Sequence, residues 1–149
     1  CAGNYAETLG THRVSELDGV GRRMPLTTMA FTVAALGMIG VPPLAGYVSK
    51  WYLQKGAIQA GDEWVALVLG ASSLLNAAYF LPILYRAWFN PPPEHWPAEH
   101  RVGRWETNWM LLLPPLVTAV LVIWAGVFAE SSFSPLAWVK LIATREYAP

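Results

Sequence analysis

Charged side chains are scarce in this sequence. Only 13% of the 149 residues are Asp, Glu, Lys or Arg, whereas a soluble domain carries about a quarter. The formal net charge is zero and no run of basic residues alternates with aromatic ones, which argues against nucleic acid as a partner. The single cysteine, Cys1, excludes an internal disulfide and a cysteine-based metal site. The low content of charged residues favours a membrane protein.

The sequence also lacks the motifs that hold cofactors. It contains no glycine-rich phosphate loop, no nucleophile elbow and no redox motif, so we expect no cofactor and no catalytic redox site in this chain. Two Glu-His pairs, Glu94-His95 and Glu99-His100, lie in a stretch broken by prolines. The helical spacing of a zinc-binding HExxH motif is therefore not available there, and we expect no bound metal.

Three long stretches contain no Asp, Glu, Lys or Arg. They cover residues 24–49, 64–85 and 107–129. About 20 mostly apolar residues cross the hydrocarbon core of a bilayer as a helix, and each stretch is long enough. The sequence therefore predicts an all-α membrane protein with three transmembrane helices.

The polar segments between these stretches define the predicted organisation. We expect a connector over 1–23, a broken transmembrane helix over 24–60, a transmembrane helix over 64–86, a proline-rich connector over 87–106, a transmembrane helix over 107–129 and a C-terminal tail over 130–149. Arginines fall in both connectors but not in residues 61–63, so the positive-inside rule places the connectors in the cytoplasm. Because the chain begins with Cys and supplies only three spans, we expect it to be a piece of a larger multi-pass protein of the cell inner (plasma) membrane.

The first span is predicted to be interrupted near its middle by a pair of prolines. Pro42 and Pro43 lack the N–H groups that would bond the carbonyls of Met38 and Ile39 in a continuous helix. Free carbonyls at membrane depth are tolerated only inside protein or along a wet cavity, and broken helices form ion sites in transporters. The residues predicted to form this hinge are Gly40, Pro42, Pro43 and Gly46.

Lys50 follows this break closely. About 15 Å of helix separates it from Ala60, which places it near the middle of the membrane, where a lysine is costly and usually functional. Such a group can carry a proton. A second interpretation stays open: residues 24–41 are long enough to span alone, and Lys50 would then lie in water or snorkel from an interfacial helix.

The second span carries polar side chains at helical spacing. Serine, asparagine and tyrosine hydroxyl or amide groups there could relay protons towards Lys50. The alternative, which we favour from the sequence, is that they form hydrogen bonds between packed helices. The residues concerned are Ser72, Ser73, Asn76 and Tyr79.

Three segments together resemble a known family. Residues 22–27 (RRMPLT) and 40–50 (GVPPLAGYVSK) are similar to the antiporter-like subunits shared by respiratory complex I, membrane-bound hydrogenases and Mrp-type cation/proton antiporters. Residues 72–82 (SSLLNAAYFLP) look like the D-type branch of the Mrp antiporters, which the chain resembles most closely.

The resemblance implies a fourteen-helix fold with two inverted five-helix repeats. In this family the twelfth helix is discontinuous, and a lysine or glutamate at its break moves protons. Lys50 falls on that position, with Pro42, Pro43 and Gly46 at the break. The chain would then supply the last three helices and the connector before them, while the family's other proton-carrying residues would lie on helices outside it.

The resemblance also implies partners. These are the lipid bilayer, the remaining helices of the parent subunit and the other subunits of a membrane complex, with protons and also sodium as candidate ions. We expect cation/proton exchange by a protein similar to the D-type Mrp antiporter component. The first alternative is a membrane subunit of complex I (NADH:quinone oxidoreductase) or of a hydrogenase, in which proton pumping is coupled to electron transfer. The second is a structural three-helix membrane segment without a transport role.

Overall fold

The computed structural model describes residues 1–96, 106–129 and 135–146, and all regular secondary structure within those ranges is helical. The all-α prediction is therefore confirmed. The elements are α1 (Ala2–Leu9), a short 3-10 turn (Val14–Glu16), α2 (Val20–Arg23), α3 (Pro25–Ile39), α4 (Ala45–Ala60), α5 (Trp64–Phe89), α6 (Trp109–Val127) and α7 (Pro135–Glu146). The second half of the predicted proline-rich connector, with Glu99-His100, and parts of the predicted tail lie outside the described residues.

Two of the described helices, α5 and α6, are long and apolar enough to cross a membrane. Helix α3 is apolar but has only 15 residues, or about 22 Å, which is short of the ~30 Å hydrocarbon core. It ends at Ile39, and α4 starts at Ala45. The predicted discontinuity of the first span is thus confirmed.

The two longer helices contain prolines without ending at them. Pro82 lies inside α5, and Pro114 and Pro115 lie inside α6. Pro114 and Pro115 leave the carbonyls of Met110 and Leu111 without helical N–H donors, and the side-chain amide of Asn4 donates to the Leu111 carbonyl at 2.9 Å. Prolines therefore break the first span and only perturb the others.

Close contacts between helix backbones bring α3, α4 and α6 together at the break. A Cβ atom on Gly46 would collide with the backbone carbonyl of Gly37, and one on Gly126 would collide with the backbone of residues 43–45. A Cβ on Gly37 would lie 3.3 Å from a methyl group of Val122. Because a side chain at Gly46 or Gly126 would overlap backbone atoms, glycine at these two positions lets α4 and α6 pack directly against the end of α3.

The first connector packs as a small apolar cluster. Its buried members come from α1, α2 and the residue before α3, and three partly buried side chains lie against them. The buried members are Tyr5, Leu9, Val20 and Met24, and the partly buried ones are Cys1, Leu17 and Trp96. The connector is therefore a folded part of the structure that is held by its own core.

Hydrogen bonds tie this connector to the neighbouring helices. The N–H of Gly19 donates to the carbonyl of Arg86 at 3.0 Å, near the end of α5. The amide of Asn4 donates to the carbonyl of Leu111 at 2.9 Å, near the start of α6. The start of α3, the end of α5 and the start of α6 consequently lie at the same end of the molecule.

Large parts of α5 and α6 face outwards. Leu67 and Leu74 are 75% and 73% exposed, and Met110 is 80% exposed. Apolar side chains exposed in this way along whole helices are expected where lipid or further helices cover them.

Candidate functional site

Helix α3 ends at Gly40 with a left-handed backbone. Gly40 has φ 93° and ψ 42°, a conformation that glycine adopts without steric cost. The N–H groups of Gly40 and Val41 both donate to the carbonyl of Leu36, at 3.0 and 3.1 Å, in the manner of a glycine helix cap. The next two residues are prolines and donate nothing, so the carbonyls of Met38 and Ile39 receive no helical N–H.

The side chain of Lys50 supplies the missing donors. Its Nζ atom lies 3.0 Å from the carbonyl oxygen of Met38 and 3.1 Å from that of Ile39. A third hydrogen bond, of 2.7 Å, runs to the hydroxyl oxygen of Ser73 on α5. An ammonium group has three donors, and here each has an acceptor. A cation at this position also complements the negative end of the α3 dipole.

Gly40 also makes room for the Lys50 side chain. A Cβ atom on Gly40 would lie 3.1 Å from Cδ of Lys50, tighter than ordinary van der Waals contact. Any larger residue would therefore push against the aliphatic stem, and it would be strained at a φ of 93°. Glycine at this position both ends α3 and lets the lysine fold back over the helix end.

No carboxylate balances the Lys50 charge in the part of the chain that the structure describes. The nearest acceptors of Nζ are the two carbonyls and the hydroxyl. The ion pair between Arg86 and Asp18, at 3.9 Å, lies at the connector end of α5. The positive charge of the half-buried Lys50 is thus met by dipoles, which stabilise it without neutralising it.

An open cleft of about 200 Å³ lies beside Lys50, between α4 and α5. It is large enough for several water molecules. The rings of Tyr47 and Trp51 stack in its wall, with centroids 6.2 Å apart. The cleft is lined by Gly40, by Tyr47, Lys50, Trp51 and Gln54 of α4, and by Ala66, Leu69, Gly70 and Ser73 of α5.

The sequence prediction did not include Tyr47, Trp51 or Gln54 among the site residues. They lie three residues before, one after and four after Lys50, which is the spacing of one helix face. That spacing was a usable signal, because a lysine on a helix face shares its surroundings with the residues one turn away.

Of the four polar residues singled out on the second span, the structure brings one to Lys50. That residue is Ser73. Ser72 is exposed, and Tyr79 is 62% exposed with its ring against Phe80. Asn76 is half-buried and makes no hydrogen bond to Lys50. The face of α5 that meets the lysine is therefore the one that carries Ser73.

A second charged contact, not predicted from the sequence, lies at the opposite end of α3. The carboxylate of Glu106 accepts hydrogen bonds from the N–H groups of Leu26 and Thr27, at 2.6 and 3.1 Å. A carboxylate at a helix N-terminus satisfies unpaired N–H groups and complements the positive end of the dipole. Helix α3 thus has an acidic cap at its start and Lys50 at its end.

The phenol of Tyr5 lies close to this acidic cap. Its hydroxyl donates to the hydroxyl oxygen of Thr28 at 3.1 Å. Burial is the largest influence on the Tyr5 phenol and raises its pKa to about 12, with a smaller lowering by the Thr28 hydrogen bond and a further raising by the Glu106 charge. The start of α3 is therefore held by a neutral phenol and a carboxylate together.

The fold and the site define a class: a helical membrane protein with a discontinuous helix whose break is closed by a lysine. The chain belongs to the family described as NADH:quinone oxidoreductase/Mrp antiporter, transmembrane, whose model matches residues 1–76. The matched segment contains the first connector, both halves of the broken helix and the first half of α5, and so includes Lys50 and Ser73.

Similar curated proteins carry related names. NADH-quinone oxidoreductase subunit N of Desulforudis audaxviator is 39% identical over 140 residues, covering 89% of this chain and 28% of that protein. The subunit of the same name from Trichlorobacter lovleyi is 32% identical over 124 residues, covering 83% and 23%. F(420)H(2) dehydrogenase subunit N of Methanosarcina mazei is 36% identical over 74 residues, covering 50% and 15%.

The chain spans about a quarter of the length of the first two of these relatives. Their names describe whole subunits, of which this chain matches a part.

Proposed function

We propose that this chain is the C-terminal part of an N-type, antiporter-like subunit of a quinone oxidoreductase complex, and that Lys50 carries protons through it. The observation on which the proposal rests is the position of the Lys50 ammonium, which binds the carbonyls of Met38 and Ile39 at the helix break. An ammonium held in this way at a helix end lies beside an open cleft, which offers a route for proton exchange.

The names of the relatives favour complex I over the D-type branch of the Mrp antiporters. The relatives described above are N subunits of NADH-quinone oxidoreductases or of an F(420)H(2) dehydrogenase. The alternative drawn from the resemblance, proton pumping coupled to electron transfer, therefore replaces cation/proton exchange as the main proposal. The electron donor differs between the relatives' names, so we assign it to other subunits of the complex.

The physical argument for proton carriage starts from the surroundings of Lys50. A lysine that only capped a helix could have its charge matched by a carboxylate, and the part of the chain described by the structure provides none within 4.0 Å. The acceptors that the structure shows for Nζ are two carbonyls and a hydroxyl. The cleft beside them is large enough for water, which supports exchange of a proton with Lys50.

We further propose the topology and location that follow from this assignment. Residues 1–23 and the end of α5 carry arginines and are joined at one end of the molecule by the hydrogen bond between Gly19 and Arg86. That end is proposed to face the cytoplasm, in the cell inner (plasma) membrane. Helices α3 and α4 together would form the broken span proposed for 24–60.

The experiment is a substitution at Lys50 in the full-length parent subunit, assembled in its complex. Lys50→Ala should lower proton translocation into membrane vesicles, followed with a pH-sensitive dye, by at least about tenfold. The matched control is Lys55→Ala, because Lys55 is exposed on the same helix and does not line the cleft; it should pump as the wild type does. Proton translocation at the wild-type rate with Lys50→Ala would leave the lysine as a structural helix cap and refute the proposal. Repeating the assay in sodium-free buffer separates proton from sodium transport.

A further inference from the structure

We infer that the Ser73 hydroxyl is the group through which Lys50 gains and loses its proton. The inference depends on the proposed function of Lys50 and adds a second residue, on a different helix, to the same path. It follows from the three hydrogen bonds of Nζ, because their acceptors differ in what they can do with a proton.

Two of the three acceptors of Lys50 are closed to proton transfer. The carbonyl oxygens of Met38 and Ile39 accept hydrogen bonds but do not take up a proton at ordinary pH. The Ser73 hydroxyl is both an acceptor and a donor. Of the three N–H bonds of the ammonium, only the one directed at Ser73 therefore leads to a group that can pass a proton onwards.

The same geometry suits both protonation states of Lys50. In the charged state, three N–H groups donate to two carbonyls and to Ser73 Oγ. In the neutral state, the amine has two N–H groups and one lone pair. The N–H groups can stay on Met38 and Ile39 while the lone pair accepts from the Ser73 O–H over the same 2.7 Å contact. No hydrogen bond is lost, and no heavy atom has to move.

The hydroxyl proton of Ser73 is not already used by its own helix. Serine and threonine hydroxyls in helices commonly donate to the carbonyl four residues earlier, and four hydroxyls in the described part of the chain do so. These are Thr28 to Met24, Thr32 to Thr28, Ser49 to Ala45 and Thr118 to Pro114, at 2.7 to 3.2 Å. Among the described residues, Ser73 has no such acceptor, and its side chain lines the cleft.

Proton release from Lys50 consists of two transfers, one from Lys50 to Ser73 and one from Ser73 to water. An Nζ–H bond of Lys50 breaks as a new Oγ–H bond forms on Ser73, and the original hydroxyl proton of Ser73 passes to a water molecule in the cleft. The positive charge leaves the lysine and moves to the water. Uptake runs in reverse: water donates to Ser73 Oγ while the hydroxyl proton passes to the Nζ lone pair.

The test uses the full-length parent subunit in its complex, in membrane vesicles, with rates divided by the amount of assembled complex. Ser73→Ala removes the hydroxyl and should lower proton translocation at least about tenfold, the effect typical of losing one hydrogen bond to a charged group. Ser73→Thr keeps the hydroxyl and should stay within about threefold of the wild type. Ser72→Ala is the matched control, because Ser72 is the neighbouring exposed serine, and it should have no effect.

A double variant separates this inference from the proposed function. If Ser73 acts through Lys50, adding Ser73→Ala to Lys50→Ala should cause no further loss. Wild-type pumping by Ser73→Ala, with Lys50→Ala inactive, would overturn the role of Ser73 and leave that of Lys50 intact. Equal losses with Ser73→Ala and Ser73→Thr would also overturn it, because the hydroxyl would then not be what matters. Wild-type pumping by Lys50→Ala would instead refute the proposed function itself.

Discussion

The glycine contact between the two half-helices can be tested by adding a single methyl group. In Gly46→Ala, the new Cβ would collide with the backbone carbonyl of Gly37. A side chain could rotate away, but a backbone carbonyl of α3 cannot, so the two half-helices must separate. Overpacking of this kind costs about 1–3 kcal/mol, while replacing a helical glycine by alanine gains up to about 1 kcal/mol. Subtracting a gain of about 1 kcal/mol leaves an expected net loss of up to about 2 kcal/mol.

Separation of the two half-helices should also weaken the hydrogen bonds of Lys50. Its hydrogen bonds to Met38 and Ile39 measure 3.0 and 3.1 Å, so a displacement of about 0.5 Å brings them to the limit of useful bonding. Gly46→Ala should therefore lower proton translocation together with thermal stability. Stability would be followed by the loss of helical circular dichroism on heating of the detergent-solubilised parent subunit.

The matched control is Gly56→Ala, ten residues further along the same helix. A Cβ at Gly56 has no neighbour within 4 Å, so only the helix-propensity gain of up to about 1 kcal/mol remains, and its unfolding temperature should equal or exceed that of the wild type. If Gly46→Ala proved as stable as Gly56→Ala and pumped normally, the close approach of the two half-helices would be refuted.

Two further predictions concern the start of α3. Glu106→Gln replaces a charged cap of Leu26 and Thr27 by a neutral one and should destabilise the subunit by about 1 kcal/mol, measured by thermal unfolding. The control is Glu94→Gln, at an exposed position outside the helices, which should have no effect; equal effects of the two would contradict the cap. Burial raises the pKa of Tyr5 to about 12 from 10.0, so its contribution to stability is fully present below pH 10 and is lost as the pH rises towards 12. Tyr5→Phe should remove that part of the alkaline destabilisation, and an unchanged pH profile would contradict the buried phenol.

The break in the first span was predictable because proline chemistry is local. Pro42 and Pro43 lack N–H groups wherever they stand, so the sequence alone identified Met38 and Ile39 as the carbonyls left without helical partners. The group that donates to these two carbonyls was not predictable in the same way. The return of Lys50 to those carbonyls depends on the direction in which α4 leaves the break, which is set by the contacts of Gly46 and Gly126.

The polar residues of α5 show a second limit. Helical spacing identifies which residues share a face, but the rotation of a helix about its axis depends on its neighbours. Ser72 and Ser73 therefore could not be distinguished from the sequence, although only Ser73 meets Lys50. The Glu106 cap could not be predicted for another reason. Glu106 binds residues about 80 positions earlier in the chain, whereas capping patterns in a sequence span only a few residues.

The position of Gly126 bears on how fast the site can work. Because Gly126 has no side chain, α6 contacts the backbone of residues 43–45 directly. This contact restrains the angle between the two half-helices from outside. If Lys50 carries protons as proposed, a fixed angle means that exchange involves no movement of the half-helices, which would take microseconds to milliseconds. It would involve reorientation of the Ser73 hydroxyl, and motions of single side-chain groups take picoseconds to nanoseconds.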